Sequence, residues 1–400
     1  MQRAPKASFG FVLLVVLAAC SGGPPSQTST PPASAGPTQT PGGQPTTTAA
    51  PTLPPSPVST GGAFPATIMG MPVMTVAAAD AALAAGQLDG RFAAVGGYWR
   101  QYALPCPFPM HMPDIYGFCS GGEFADSPQD ENTSGGIGGN NVPVAMPETM
   151  NGDLLWSDAS ESPARVVLIV HARDSRAWQC APDPGIDCKQ HMVIDDVAWV
   201  NGSATAPGTT ISESGVQPTM TLDQVAAIAV KPGEQLVTAY ALPATHLNVV
   251  DPRLLGKGSG VVWFVRTAAI DGSGDGTIRL VSDADGSVID ALPLAVDAAY
   301  NPARLVLDSQ YSNNSADTGP HFELLDGTTV LAADVLNIGS PPLAVEAGNY
   351  VLHAYLTDAP QPSGPTCDQP ITLATGANAA YKASFTGSTC KWAPFDPTQF

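Results

Sequence analysis

Arg165-Val166-Val167-Leu168-Ile169-Val170 and Gly260-Val261-Val262-Trp263-Phe264-Val265 carry the clearest structural signal in this chain. Both are short runs of β-branched and aromatic residues closed off by polar and glycine turns, the pattern of a strand rather than of a helix. Working outward, further runs of the same kind span 91–99, 192–200, 235–242 and 277–282. Two alanine-rich stretches break the pattern, 75–85 and 221–228. Each opens on a threonine suited to cap a helix and has an aspartate in its early turns. Pro72-Val73-Met74-Thr75-Val76 and Pro218-Thr219-Met220-Thr221-Leu222 introduce these two stretches, and a glycine and a strand follow each one. With the two central runs as a matching pair, the order hints at a tandem repeat. The expected fold is mainly β with a few short helices: two small OB-like or sheet-plus-helix units, then an antiparallel β-sandwich.

The last unit reads as strands alone, at 304–309, 321–325, 330–336, 349–357, 370–374 and 380–385. In Leu343-Ala-Val-Glu-Ala-Gly-Asn-Tyr350-Val-Leu-His-Ala-Tyr355, the residues Tyr350, Leu352 and Ala354 alternate with Val351, His353 and Tyr355. The two sets are expected on opposite faces of one sheet. The phrase resembles a turn of prealbumin-like and immunoglobulin-like sandwiches, where a strand ends at a glycine turn and the next begins with tyrosine. That resemblance is structural and implies no catalytic residue.

The amino terminus addresses the chain. Arg3 and Lys6 precede an apolar run from Phe9 to Ala19, which ends Leu17-Ala18-Ala19-Cys20. A basic start, a short apolar stretch and small residues before a cut describe an export signal. Eleven apolar-run residues fall well short of the roughly 20 that a spanning helix needs. The four closing residues resemble the lipobox of bacterial lipoproteins. The resemblance implies removal of residues 1–19, acylation of Cys20 with a diacylglyceryl group, and anchoring in the cell envelope by more than one acyl chain, as stable attachment requires. From Ser21 to Gly62 no charged or aromatic residue occurs, and eleven prolines lie between Pro24 and Pro57. Such a segment lacks the apolar surface to offset its ordering entropy. Its polyproline bias makes it an extended tether of up to about 130 Å. The expected organisation is therefore 1–19 signal, 20–62 lipidated cysteine and tether, 63–212 first β-rich OB-like domain, 213–298 second smaller β-rich domain, and 299–400 sandwich.

Seven cysteines become six once Cys20 is lipidated. They fall as local couples, Cys106 with Cys119, Cys180 with Cys188, and Cys367 with Cys390. Six cysteines allow 15 pairings, and neighbour pairing is the expected one in an exported protein; Cys367 and Cys390 would staple the closing hairpin. Zinc at Cys180, Cys188 and His191 lacks a paired C-x-x-C unit. Met110-His111-Met112 offers soft donors suited to copper, but a methionine-rich disulfide loop accounts for the same residues. No cofactor is expected. The formal net charge of −19, with no cluster of lysine or arginine, sets the surface against phosphate backbones and excludes nucleic acid as a partner.

Candidate chemistry is sparse. Gly256-Lys-Gly-Ser259-Gly has the wrong glycine spacing for a nucleophile elbow and precedes a strand. Gly135-Gly-Ile-Gly-Gly139 lacks the strand-before, helix-after setting of a phosphate loop. His171, Arg173 and Asp174 gather at the exit of the first central strand, where a catalytic histidine would need a nucleophile that the sequence does not show. Asp271, Ser273 and Asp275 stand at alternate positions like the opening of a calcium loop. The twelfth position is Ser282 rather than glutamate, and a pair of glycine turns, the second at Asp283-Ala-Asp-Gly286, explains the same residues. The expected role is a lipid-anchored, extracytoplasmic, non-catalytic surface protein. Its β-rich domains would bind an unknown protein, glycan or small ligand, or act as an envelope scaffold. An extracytoplasmic hydrolase or a metal-handling protein is the alternative.

Overall fold

The computed structural model describes residues 64–101, 122–127, 164–179, 189, 192–205, 211–213, 215–311, 318–336, 342–358 and 361–396. The signal, Cys20 and the tether lie outside these residues. So do Cys106, Cys119, Cys180, Cys188, Met110-His111-Met112, His191 and the glycine run at 135–139. Among the described residues no helix is long and apolar enough to cross a membrane.

The strand-forming runs become two open sheets. The first holds β1 (Thr67–Ile68), β2 (Met71–Thr75), β3 (Phe92–Gln101), β4 (Gly122–Ala125), β5 (Ala164–Ala172), β6 (Met192–Val200) and β7 (Ser203–Ala204). Its order is β1-β2-β3-β5-β6-β7, with β4 also on β3. The second holds β8 (Ile211–Ser212), β9 (Glu234–Pro243), β10 (Val261–Ala269), β11 (Gly276–Ser282) and β12 (Val288–Pro293), in the order β12-β11-β10-β9-β8. Of the two expected forms for these units, sheet-plus-helix is the one seen.

Helix α1 (Val76–Ala84) joins β2 to the parallel β3, and α2 (Leu222–Ala229) joins β8 to the parallel β9. The expected threonine caps are in place. The Thr75 hydroxyl accepts from Ala78 N, and Thr221 forms a reciprocal capping box with Gln224. An aspartate steadies each approach as well. The Asp126 carboxylate accepts from Val76 N and Ala77 N at 2.7 and 3.0 Å. Asp283 accepts from Thr219 N, Met220 N and the Trp263 indole at 2.8, 2.9 and 2.9 Å. Asp126 meets unsatisfied amides at the positive dipole end of α1, whereas Asp283 fixes the chain just before the α2 cap.

In both halves the same order recurs: short strand, helix, parallel strand, then antiparallel strands. β5 and β10 occupy the same place in it. Their inward faces meet. Phe92, Ala94, Val167, Ile169 and Trp199 of the first sheet share a core with Tyr240, Leu242, Val262, Phe264 and Leu280 of the second. The outer face of the first sheet packs on α1, and that of the second on α2. The layers therefore run helix, sheet, sheet, helix, and the two units read as separate domains in the sequence bury one common core. Ile211 and Ser212, placed by the sequence in the first unit, pair in the second sheet. Close approach is bought with small residues. A Cβ at Gly97 would meet Phe124 and Val76 at 2.7 and 2.8 Å. At Gly274, with φ +77°, it would lie 2.2 Å from the carbonyl oxygen of Phe92.

The C-terminal unit is a sandwich of two four-stranded sheets. One contains β13 (Ala303–Tyr311), β16 (Leu343–Val345), β19 (Asn378–Thr386) and β20 (Thr389–Pro394), in the order β16-β13-β19-β20. The other contains β14 (Thr318–Asp326), β15 (Thr329–Val335), β17 (Gly348–Asp358) and β18 (Gln361–Leu373), in the order β15-β14-β17-β18. Pairing is antiparallel except between β13 and β19, which run parallel. Phe322, Leu324, Leu352, Ala354, Ile371 and Phe385 fill the space between the sheets. The alternation read in the sequence holds: Leu352 and Ala354 point in, and Val351, His353 and Tyr355 point out. Cys367 and Cys390 are disulfide-bonded, with Cα atoms 5.3 Å apart. The bond does not staple a hairpin as expected. It joins β18 to β20, edge strands of different sheets, and clasps the sandwich along one side.

Candidate functional site

Two clusters of titratable residues in the described chain have opposite settings. The first lies between the two central sheets. In β5, Val167 and Ile169 face the common core, and the next residue on that face is His171. In β10, Val262 and Phe264 face the same core, and the next in line is Arg266. When Arg165 is aligned with Gly260, His171 falls on Arg266, so equivalent positions of the two halves meet across the layer.

Two carboxylates connect them. His171 Nδ1 lies 2.6 Å from Asp195 Oδ2, and Nε2 lies 2.9 Å from Asp174 Oδ2. Arg266 donates to Asp195 Oδ1 at 2.6 Å and to Asp174 Oδ2 at 3.0 Å. Arg176 closes on Asp174 from the other side, through its backbone N and Nε at 2.8 Å each. The array continues outward. The Ser175 hydroxyl donates to Asp251 at 2.6 Å, and Asp251 also accepts from Arg253. Gln179 donates to Asn248 O at 2.9 Å and accepts on its own carbonyl from Arg304 of the sandwich at 2.7 Å. All three sheet systems are thus tied through the short helical turn Ser175–Gln179.

The side chains of His171, Asp174, Asp195, Arg176 and Arg266 are at most 2 % exposed. Burial by itself disfavours charge on each of them. Burial would raise Asp174, yet Arg176, the His171 hydrogen bond and Arg266 hold it well below the usual carboxylate range. Burial and Arg266 would lower His171, but Asp195 and the ring's hydrogen bonds to both carboxylates raise it above an ordinary histidine. The arrangement looks like an acid–base pair, but its side chains are sealed from solvent.

The second place is the outward face of the β15-β14-β17-β18 sheet. His321 stands opposite Tyr355, and Glu323 opposite His353. His353 in turn stands opposite Asp368 of β18. The His321 and Tyr355 rings are stacked with centroids 5.5 Å apart, and Tyr355 and His353 are tilted at the same distance. His353 Nδ1 lies 2.5 Å from Asp368 Oδ1. Partial burial lowers His321 and, with Glu323 nearby, raises Tyr355. His353 is 27 % and Asp368 65 % exposed. This row can exchange hydrogen bonds with a polar ligand.

The other sequence candidates lie elsewhere. Arg173 leaves the buried array and pairs with Asp89 at 3.0 Å. Ser259 is exposed in the loop before β10. Asp271, Ser273 and Asp275 form the β10–β11 turn. Asp271 accepts from Ser273 N at 2.9 Å, Ser273 Oγ accepts from Asp275 N at 3.2 Å, and Asp275 pairs with Arg91 at 3.0 Å. That is the hairpin-turn reading of these residues, with Asp275 engaged by an arginine. Among the described residues no group of three or more His, Cys, Asp or Glu converges on a metal position. The sequence missed Asp195 and Arg266. Their only signal was polarity inside otherwise apolar strands. No family model, curated protein or solved structure matches the chain.

Proposed function

We propose that the protein is a lipid-anchored, extracytoplasmic surface protein whose β-rich head serves as a non-catalytic binding or envelope-scaffold module. The anchor and the address rest on the lipobox-like ending at Cys20 and on the uncharged, proline-rich tether. The observation that carries the head's part is where its charged chemistry is spent. The histidine, aspartates and arginines that could have formed a catalytic group are sealed between the sheets and hold them together. The polar row His321, Tyr355, His353 and Asp368 faces outward on the sandwich and is the surface we assign to ligand contact.

The test begins with the anchor. Cys20→Ser should move the protein from the membrane to the soluble fraction of cells. Continued recovery in membranes after a salt wash would remove lipid as the attachment. For the head, the imidazole resonances of His321 and His353 should shift when envelope polysaccharide is added. Shifts absent there but present elsewhere would move the contact surface off the sandwich.

A further inference from the structure

The seam between the two central sheets depends on one proton. Both ring nitrogens of His171 face carboxylate oxygens, at 2.6 and 2.9 Å. Ionised carboxylates only accept hydrogen bonds, and a neutral imidazole has one N–H. Both contacts are satisfied only by the imidazolium. Arg266 bonds both aspartates and Arg176 bonds Asp174, so each carboxylate accepts from a guanidinium besides facing the histidine. From β3 the group packed on the histidine is the Phe92 ring, 5.9 Å away and without charge. Beyond the array, Arg173 pairs with Asp89 at 3.0 Å, Asp251 pairs with Arg253 at 2.7 Å, and Asp196 follows Asp195 in β6.

We propose that the His171 imidazolium is a proton-dependent clasp across this seam: it holds the β5–β6 and β10 faces together in acid and neutral medium, and it lets them part in alkali. Removing the proton sets a nitrogen lone pair against a carboxylate lone pair at hydrogen-bond distance. With these side chains at most 2 % exposed, the repulsion is unscreened. Separation of the sheets is the available relief. The sign follows from the raised value of the histidine. Its contribution is complete below the ordinary histidine value of 6.5 and is lost as pH rises through the higher folded value. The inference is independent of the lipid anchor and of the ligand surface.

The test compares the full-length wild-type protein with His171→Gln between pH 5 and 10. In the wild type, amide protection in β5, β6 and β10, corrected for intrinsic exchange, should fall by up to about tenfold per pH unit between the ordinary histidine value of 6.5 and the raised folded value, and level off above it. Protection in the C-terminal sandwich should fall less. In H171Q the alkaline loss should be absent. Equal slopes in the two proteins would overturn the clasp. If H171Q does not fold, 15N resonances of the wild-type imidazole decide the matter. Two protonated ring nitrogens are expected at about pH 6.5, where an ordinary imidazole is half neutral, and a predominantly neutral tautomer at that pH would overturn the proposal.

Discussion

His171 with Asp195 and His353 with Asp368 are the same pair of side chains at nearly the same separation, 2.6 and 2.5 Å. Their surroundings differ. His171 and Asp195 are 1 % and 0 % exposed, whereas His353 and Asp368 are 27 % and 65 % exposed. In the first pair the charge cannot be solvated, so each partner needs the other and Arg266 as well. In the second, water competes with the contact and takes over when it breaks. Pair geometry therefore says little about what a histidine–aspartate contact does. Burial converts one into a structural joint and leaves the other available to a ligand.

The strongest way to break this contrast is to remove one anion from the sealed array. Asp195→Leu leaves two buried cations, His171 and Arg266, sharing Asp174 with Arg176 and should cost about 3–5 kcal/mol in denaturant unfolding. A loss under about 1 kcal/mol would mean that water enters the seam. The clasp of the sandwich comes next. Cys390→Ser releases a bond spanning 23 residues, for which chain entropy predicts a loss of about 3 kcal/mol. The change should leave exchange in β5 and β10 untouched. Thr221→Ala removes one side of the α2 capping box and should cost about 1 kcal/mol by thermal unfolding. Asp368→Ala is expected to cost less than about 1 kcal/mol, because its partner remains wet. A cost matching that of Asp195→Leu would erase the distinction between the two regions.

Asp80 sharpens the comparison from an intermediate position. Half-buried on α1 beside Asp126, it is raised to about 6 by burial and by the neighbouring carboxylate. A carboxyl with a raised folded value costs stability as pH climbs from its ordinary value of 3.8 to about 6, and the full cost persists above that. Asp80→Asn should therefore raise Tm at pH 8 and change it little at pH 4. Equal gains at both values would remove the Asp126 repulsion as the cause.

Legibility followed the range of the interaction. The helices at Thr75 and Thr221 were readable because a cap bonds an amide three residues away. The outward side of β17 was readable because strand alternation has a period of two. The matching of β5 with β10 was visible as similar apolar runs, and it extends to His171 and Arg266. The disulfide between Cys367 and Cys390 was legible as a pair. Its role was not, since a hairpin staple and an inter-sheet clasp have the same spacing in the chain.

The buried array lay beyond such reading. Asp174 meets Arg266 across 92 positions, and Asp195 meets it across 71. No local pattern encodes either distance. Propensity and spacing determined the mainly β class, the two capped helices and the direction of the side chains. Tertiary structure alone decided that the two units share one core and that His171 is sealed. It also decided which histidine faces solvent. Solvation energy depends on what surrounds a side chain from every direction, and most of those neighbours come from distant parts of the chain.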